Sequence, residues 1–505
     1  MHGCGSTSQL TELWSLRHDT SMEIGAGGDV VLSTTYGELT LKEPAASVVE
    51  ALRRMLHGPV SLCNVVPDFP GCGRPQPGQV PSAEAQNLMR AMEALQPVVV
   101  RSLARGGTLL LSAVPVSEQA RFQPVGVPED REHRLSRYAL IRSAEDGMRM
   151  ESPLSHYRVE LHQPDVCVVV GRLGGAGRTR TDEPCGELTA PEIETVVGYL
   201  LTTGMAVAAE RLAEPGRAAA FREDRDPELL SWSFEDLLVH TRSRTGMNDG
   251  SVGATFAFTD RLTPEPLIKP PSGGTVIPLY RPELATLLAN DPPFTAVLEQ
   301  RRSIRTYGTS ELALGPLGEL LFRAARMRSA GDGPDPDPPV ADSADSADSA
   351  APAVHAAGSR PYPSTGGTYA LELYVVASRC EGLAPGVYHY DPLGHTLEAV
   401  EGDLTAAAEM LESARVWAGQ AVPPPVLFAI TARYRRMAFQ YSGIAYTSLL
   451  KDVGVLQQTL YLVCTAMGLA PCALAVGDIA APERALGVGW LAEPCVGEFL
   501  VGAAG

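Results

Sequence analysis

The chain has 505 residues, 45% of them hydrophobic and 20% charged, a length that holds two or three domains. Its 41 basic and 59 acidic residues leave a net charge of −18, which opposes nucleic acid as a partner. No run of about 18 apolar residues occurs, so no membrane span is expected; no signal peptide is expected from the opening residues either, and the expected location is the cytoplasm. The nine cysteines form no CxxC pair, so neither a metal site nor a redox pair is expected. Lys42, Lys269 and Lys451 are the only lysines, and arginine supplies nearly all the positive charge.

Residues 1–117 read as a small α+β unit. Gly28-Asp29 and Tyr36-Gly37 punctuate short apolar runs and mark a hairpin. Val48, Val49, Leu52, Met55 and Leu56 recur at helical spacing before Gly58-Pro59 ends the helix. A Pro- and Gly-rich loop over residues 67–81 leads to a second expected helix at about 82–95 and a strand at 108–116. Residues 118–215 repeat the order, with a hairpin from residues 138–141 and 148–150, a strand at 159–161 and an apolar segment at 166–173. A helix then opens at Thr189-Ala190-Pro191-Glu192, which has the spacing of a capping box. Two such units in tandem suggest winged-helix modules; paired scaffolding domains without a ligand are the alternative. Residues 216–278 read as a helical linker, with Leu229, Leu230, Phe234, Leu237 and Leu238 on one face. His240 fits a linker or dimer contact better than a catalytic role. The Pro- and Gly-rich residues 264–278 mark the next boundary.

The densest signals lie in residues 279–505. Arg301-Arg302-Ser303-Ile304-Arg305 sets three guanidinium groups and a hydroxyl within five residues, a donor set suited to phosphate oxygens; a solvated basic turn is the alternative. A short amphipathic helix follows, with Leu314, Leu317, Leu320 and Leu321 on its apolar face. Residues 331–358 are Pro-, Ala-, Asp- and Ser-rich with no lysine or arginine and are expected to be a disordered insert. Then come Arg360-Pro361-Tyr362-Pro363-Ser364-Thr365-Gly366-Gly367, a strand at 370–376, Gly386-Val387-Tyr388-His389-Tyr390-Asp391-Pro392, and a long apolar helix at 453–469.

This order resembles the SagB-type azoline dehydrogenases of the FMN-dependent nitroreductase superfamily, flavoenzymes of thiazole- and oxazole-containing peptides, including thiopeptides. The shared hallmarks are the RRSxR opening, the RPYPSxG turn, the GxYxYDP hairpin and the C-terminal helix. The resemblance implies an α+β nitroreductase fold, an antiparallel-rich sheet packed by helices, preceded by the two winged-helix-like modules. It implies FMN as cofactor, held by Arg301, Arg302, Ser303 and Arg305 at the phosphate and ribityl chain. Pro363, Ser364 and Gly366 would lie along the ring system, approached from the other side by Gln458, Val476 and Gly477. It also implies a homodimer, an azoline-containing precursor peptide as substrate, and a cyclodehydratase as partner. The N-terminal modules look like the peptide clamps of these pathways, which would bind an extended peptide at a sheet edge.

One departure concerns the catalytic pair. Members acting on azolines carry Lys-Tyr where this chain has Gln440-Tyr441. Tyr441 is the expected acid/base, with Gln440 orienting substrate. A free tyrosine, with a pKa of about 10, needs help as a base, and Arg433, Arg435 or Arg436 are candidate cations for its phenolate. Val455 and Thr459 stand where relatives carry the histidine and asparagine of GHxxQN, and Lys451, about one turn earlier, is a candidate replacement base or a solvated helix-start lysine. Two rival readings remain: a scaffold that has lost its chemistry, and another nitroreductase-type flavin oxidation.

Overall fold

The structure, a computed structural model, describes residues 10–70, 80–128, 131–145, 147–175, 186–210, 220–307, 311–328 and 358–504. The expected insert, up to residue 357, lies outside the described residues. The chain divides into two units, Met1–Gly250 and Ser251–Gly505.

In the first unit the two expected modules feed a single antiparallel sheet. Its strand order is Thr11–Leu16, Val99–Arg105, Thr108–Pro115, Tyr157–Leu161, Gly147–Glu151, Leu140–Ala144. The halves meet where Thr108–Pro115 pairs with Tyr157–Leu161. Each half keeps its own apolar core. One gathers Val30, Leu52, Met55 and Leu88 under the helices Ala46–His57 and Ala83–Ala94. The other gathers Val159, Val169, Val196 and Leu200 under Pro164–Leu173 and Ala190–Thr202. The apolar segment at 166–173 is therefore helical, with Pro164 in its first turn, where a missing N–H costs nothing. The capping box forms as read, the Thr189 backbone N–H donating to Glu192 at 2.8 Å. A separate three-stranded sheet, Ser21–Ile24, Val30–Thr34 and Gly37–Leu41, precedes the first helix. The helices Pro227–Leu230 and Phe234–Arg242 belong to this unit; Tyr138 donates to the Leu229 carbonyl at 2.6 Å, and Glu223 accepts the Arg137 N–H at 3.0 Å.

The second unit is built on a seven-stranded antiparallel sheet: Val276–Pro278, Thr396–Ala399, Gly386–Asp391, Leu371–Ala377, Val426–Ala432, Cys495–Ala503, Leu469–Leu474. Leu371–Ala377 and Val426–Ala432 are buried at every position, because helices cover both faces. Alternation sorts the side chains. Leu371, Leu373 and Val375 face the helices Leu314–Ala325 and Ala445–Ala466. Tyr374 and Val376 face Leu404–Ala418 and Ala480–Leu486.

Residues 264–278, read from composition as a boundary, run along this unit as a strap held by charged side chains. Arg433 donates to the carbonyls of Pro266 and Leu267 at 2.7 and 2.8 Å, and Arg436 to that of Glu265 at 2.6 Å. Lys269 pairs with Glu493 at 2.5 Å, and Glu398 accepts the N–H groups of Gly273 and Gly274. Beneath it, Glu372 is almost wholly buried, 3.0 Å from His389 Nε2 and 2.9 Å from Arg433 Nε. The Arg433 contact is an ion pair rather than an aligned hydrogen bond. Burial pushes the Glu372 carboxyl up, but His389, Arg360 and Arg433 outweigh it and hold the group below its ordinary value.

Candidate functional site

The arginine-rich segment follows directly on the helix Phe294–Gln300 and runs along the edge strand Leu469–Leu474. The Ile304 N–H donates to the Pro471 carbonyl at 2.8 Å. Ser303 Oγ and Tyr461 Oη lie 2.7 Å apart, and Tyr461 Oη accepts the Ala473 N–H at 2.7 Å. The Arg301 guanidinium sits 5.4 Å from the Tyr461 ring centroid. Arg305 lies against the buried Cys472 thiol, which burial pushes up and Arg305 pulls down. None of Arg301, Arg302 and Arg305 pairs with a carboxylate among the described residues, and Arg302 and Arg305 are exposed. Val476 and Gly477 lie just past the end of the same strand, both exposed. The Glu498 carboxylate stands 3.1 Å from where a Gly477 side chain would begin. Burial, with Asp478 nearby, pushes Glu498 up to about 7.

The glycine turn forms a second cluster. Arg360, buried, stacks on Tyr369 and anchors the turn from inside. Pro363 is exposed. Ser364 Oγ donates to Asp452 at 2.7 Å, and Thr365 donates to the same carboxylate from its N–H at 3.1 Å and its hydroxyl at 2.9 Å. Gly366 has φ +55°, the left-handed region. A Cβ there would overlap the Tyr441 hydroxyl and come within 3.1 Å of Gln440 Nε2. Gln440, buried, donates from Nε2 to Tyr441 Oη at 3.1 Å. Ser364, Gly366, Gln440 and Tyr441 are thus brought together, and Ser303, Arg301 and Arg305 gather in the first cluster.

Other expected residues stand apart from both clusters. Lys451 and Gln458 are exposed, with no hydrogen-bond or ion-pair partner among the described residues; Gln457 turns inward instead, donating to the Glu498 carbonyl at 3.2 Å. Arg433 and Arg436 are spent on the strap, and Arg436 also holds the Thr368 carbonyl. Burial and Arg433 push Arg436 down to about 10. Arg435 pairs with Glu265 at the surface. Sequence reasoning missed Asp452 and Tyr461, the two side chains of the helix Ala445–Ala466 that pin the turn and the arginine segment. A carboxylate inside an apolar helix was the available signal for Asp452.

A helix-covered antiparallel sheet, with an arginine-rich segment at its edge strand and a glycine turn closed by Tyr441, places the second unit in the nitroreductase class. Residues 298–502 match the nitroreductase family, and residues 133–249 match the family of cyanobactin oxidase ThcOx. The chain therefore carries a segment that matches the ThcOx family, followed by a domain that matches the nitroreductase family and has its fold. A Methanocaldococcus jannaschii protein named as a nitroreductase is 28% identical over 196 residues, 39% of this chain and 82% of its own. A Ralstonia eutropha JMP134 structure, also named as a nitroreductase, is 22% identical, spans 47% of this chain and 98% of its own, and has a TM-score of 0.34. A chain of the E. coli microcin synthetase McbBCD complex with truncated pro-MccB17 bound is 18% identical, spans 50% of this chain and 88% of its own, and has a TM-score of 0.31. The assignment rests on the two family matches. Among the described residues no helix is long and apolar enough to cross a membrane.

Proposed function

We propose that this chain is an FMN-dependent dehydrogenase that oxidises thiazoline or oxazoline rings of a ribosomal precursor peptide to thiazoles or oxazoles. The observation that carries the reading is Tyr441, held by Gln440 against the left-handed Gly366. The residues fit the cofactor: beside the Ser303 hydroxyl, Arg301, Arg302 and Arg305 are cations with no carboxylate partner among the described residues, and Gly366 keeps a side chain off the turn. When bound, FMN supplies a hydride acceptor. The remaining half of the oxidation is a proton, which Tyr441 Oη takes from the adjacent ring carbon. The Gln440 N–H donated to that oxygen favours its phenolate and does part of what the missing lysine would do. Arg433 and Arg436 are committed to the strap, so we assign them no part in this step. Oxygen as the final electron acceptor, and a cyclodehydratase that supplies the azoline, complete the scheme.

The cofactor site is read as shared by two copies of the chain. Asp452 and Tyr461 are nine residues apart on the helix Ala445–Ala466. At about 1.5 Å and 100° per residue they stand about 14 Å apart on opposite sides of it. Large apolar side chains recur four residues apart on the outside of three helices: Leu284 and Leu288, Phe294 and Leu298, Tyr446 and Leu450, a pattern that favours an interface. In the first unit, Gly37–Leu41 has a free outer edge among the described residues, which favours strand addition by an extended peptide.

The first test is the visible spectrum of the purified protein, with the released cofactor identified by mass. Stoichiometric FMN is expected; an apoprotein that takes up no added FMN would favour the scaffold reading that the altered Lys-Tyr pair raises. The second is Tyr441→Phe, expected to lose azoline oxidation while keeping FMN, beside Gln440→Lys, expected to keep it. Oxidation by the Phe variant at the wild-type rate removes Tyr441 from the role.

A further inference from the structure

The first unit contains a cavity of about 260 Å³ that the redox reading does not use. Trp14, Phe69, Met89, Met92 and Phe122 wall it. Trp14 and Phe69 meet edge-to-face at 5.7 Å, and Met89 stands at the mouth, 40% exposed. This volume lies below the roughly 300–1,000 Å³ typical of small-molecule and cofactor sites, and suits a single side chain. Methionine walls adapt to the shape of what enters.

The polar groups at the cavity are not symmetric in charge. The Arg101 guanidinium is stacked between Trp14 and Phe122, 3.6 and 4.8 Å from their ring centroids. Glu12 Oε1 pairs with it at 2.5 Å and also accepts the Tyr199 hydroxyl. Arg101 and Glu12 cancel, so the stacked arginine closes one wall without offering a free cation. Glu93, exposed on the helix Ala83–Ala94 and also lining the cavity, adds a negative charge that no cation cancels among the described residues. Its one partner among the described residues is the neutral amide of Gln96.

We infer that this cavity is a peptide-anchoring site: it takes one leucine- or phenylalanine-sized side chain of an extended peptide that carries lysine or arginine beside that anchor. The inference rests on reading the first unit as peptide-binding and adds where the peptide is gripped and by which side chains.

The test uses the full chain and three twelve-residue peptides. Two carry a central photoactivatable leucine, flanked by lysines in one and glutamates in the other; the third keeps the lysine flanks and carries its photoactivatable group on a central polar residue. Cross-links are mapped by mass spectrometry. On the wild type the lysine-flanked leucine peptide should label Phe69, Met89 or Met92 at about tenfold the yield of the other two. Met89→Trp, which plugs the mouth, should cut that yield about tenfold. Glu93→Lys, a surface change that leaves the core untouched, should reverse the preference between lysine and glutamate flanks. Labelling elsewhere in residues 10–250, indifferent to Met89→Trp, overturns this site while leaving the unit a peptide binder. No labelling by any peptide overturns both. FMN content and azoline turnover are measured on the same samples and report on the redox reading separately.

Discussion

At the scale of single residues the proposed site rests on Gly366 and Tyr441, and Asp452 holds the turn that carries Gly366. Its buried carboxylate takes three donors from Ser364 and Thr365, and a hydrogen bond to a charged group is worth about 1.5–3 kcal/mol. Asp452→Asn removes the charge and replaces one acceptor with a donor. The FMN dissociation constant should rise about tenfold or more, read by flavin fluorescence titration; an unchanged constant would show that the turn holds itself. Glu498 gives a pH-dependent expectation. Its folded value of about 7 exceeds the ordinary 4.5, so the folded state keeps a proton that the unfolded chain gives up. Its stabilising effect is full below about pH 4.5 and is lost as pH rises to about 7, leaving a penalty on the order of 3 kcal/mol above that. Glu498→Gln should therefore unfold like the wild type at pH 4 and at higher temperature than the wild type at pH 8. Equal melting points at pH 8 would place Glu498 in water. Tyr441, Gly366 and Ser364 were legible because they lie inside contiguous motifs. Asp452 was not, since its partners are 87 and 88 residues away in the chain.

Elements with a strong period came through from sequence and those held by distant charges did not. The apolar stripe Leu314, Leu317, Leu320 and Leu321 becomes the helix Leu314–Ala325, and the strand expected at 370–376 is Leu371–Ala377. The GxYxYDP segment forms its hairpin, Asp391 capping the turn through the N–H groups of Leu393 and Gly394. The long helix starts at Ala445 rather than 453, because the buried Ser448 and Asp452 interrupt the apolar pattern without interrupting the helix. It ends at Ala466, before Gly468 turns the chain with φ +67°. The strap at 264–278 offers proline and glycine as its main sequence signal; what fixes it lies at residues 398, 433, 435, 436 and 493 and in the pairing of Val276–Pro278 with Thr396–Ala399. Arg433 reaches its carbonyls and Glu372 at once. Arg433→Met should destabilise the second unit by about 3–5 kcal/mol, as expected when one member of a buried ion pair is lost. Adding Glu372→Leu should recover part of that loss. Denaturant unfolding checks both, and a single variant with wild-type stability would mean that the strap is held without Arg433.

For the whole molecule, the positions of Asp452 and Tyr461 on opposite sides of one helix decide what a working site requires. If a bound FMN touches both the arginine segment and the glycine turn, the two come from different copies. Arg302→Ala disables the first and Tyr441→Phe the second, so each homodimer should be inactive on azoline peptide. Mixed by co-expression, half of randomly assembled dimers are hybrids. Each hybrid joins the intact arginine segment of one copy to the intact turn of the other at one of its two sites. Activity should return to about a quarter of wild type. Phe294→Glu, a charge placed on the exposed apolar helices, should yield a monomer by sedimentation and lose FMN with it. If co-expression restores nothing while both parents sediment as dimers, the two clusters serve one site within a single copy. In that case the helix Ala445–Ala466 would have to separate the cofactor's phosphate from the residue that takes the ring proton.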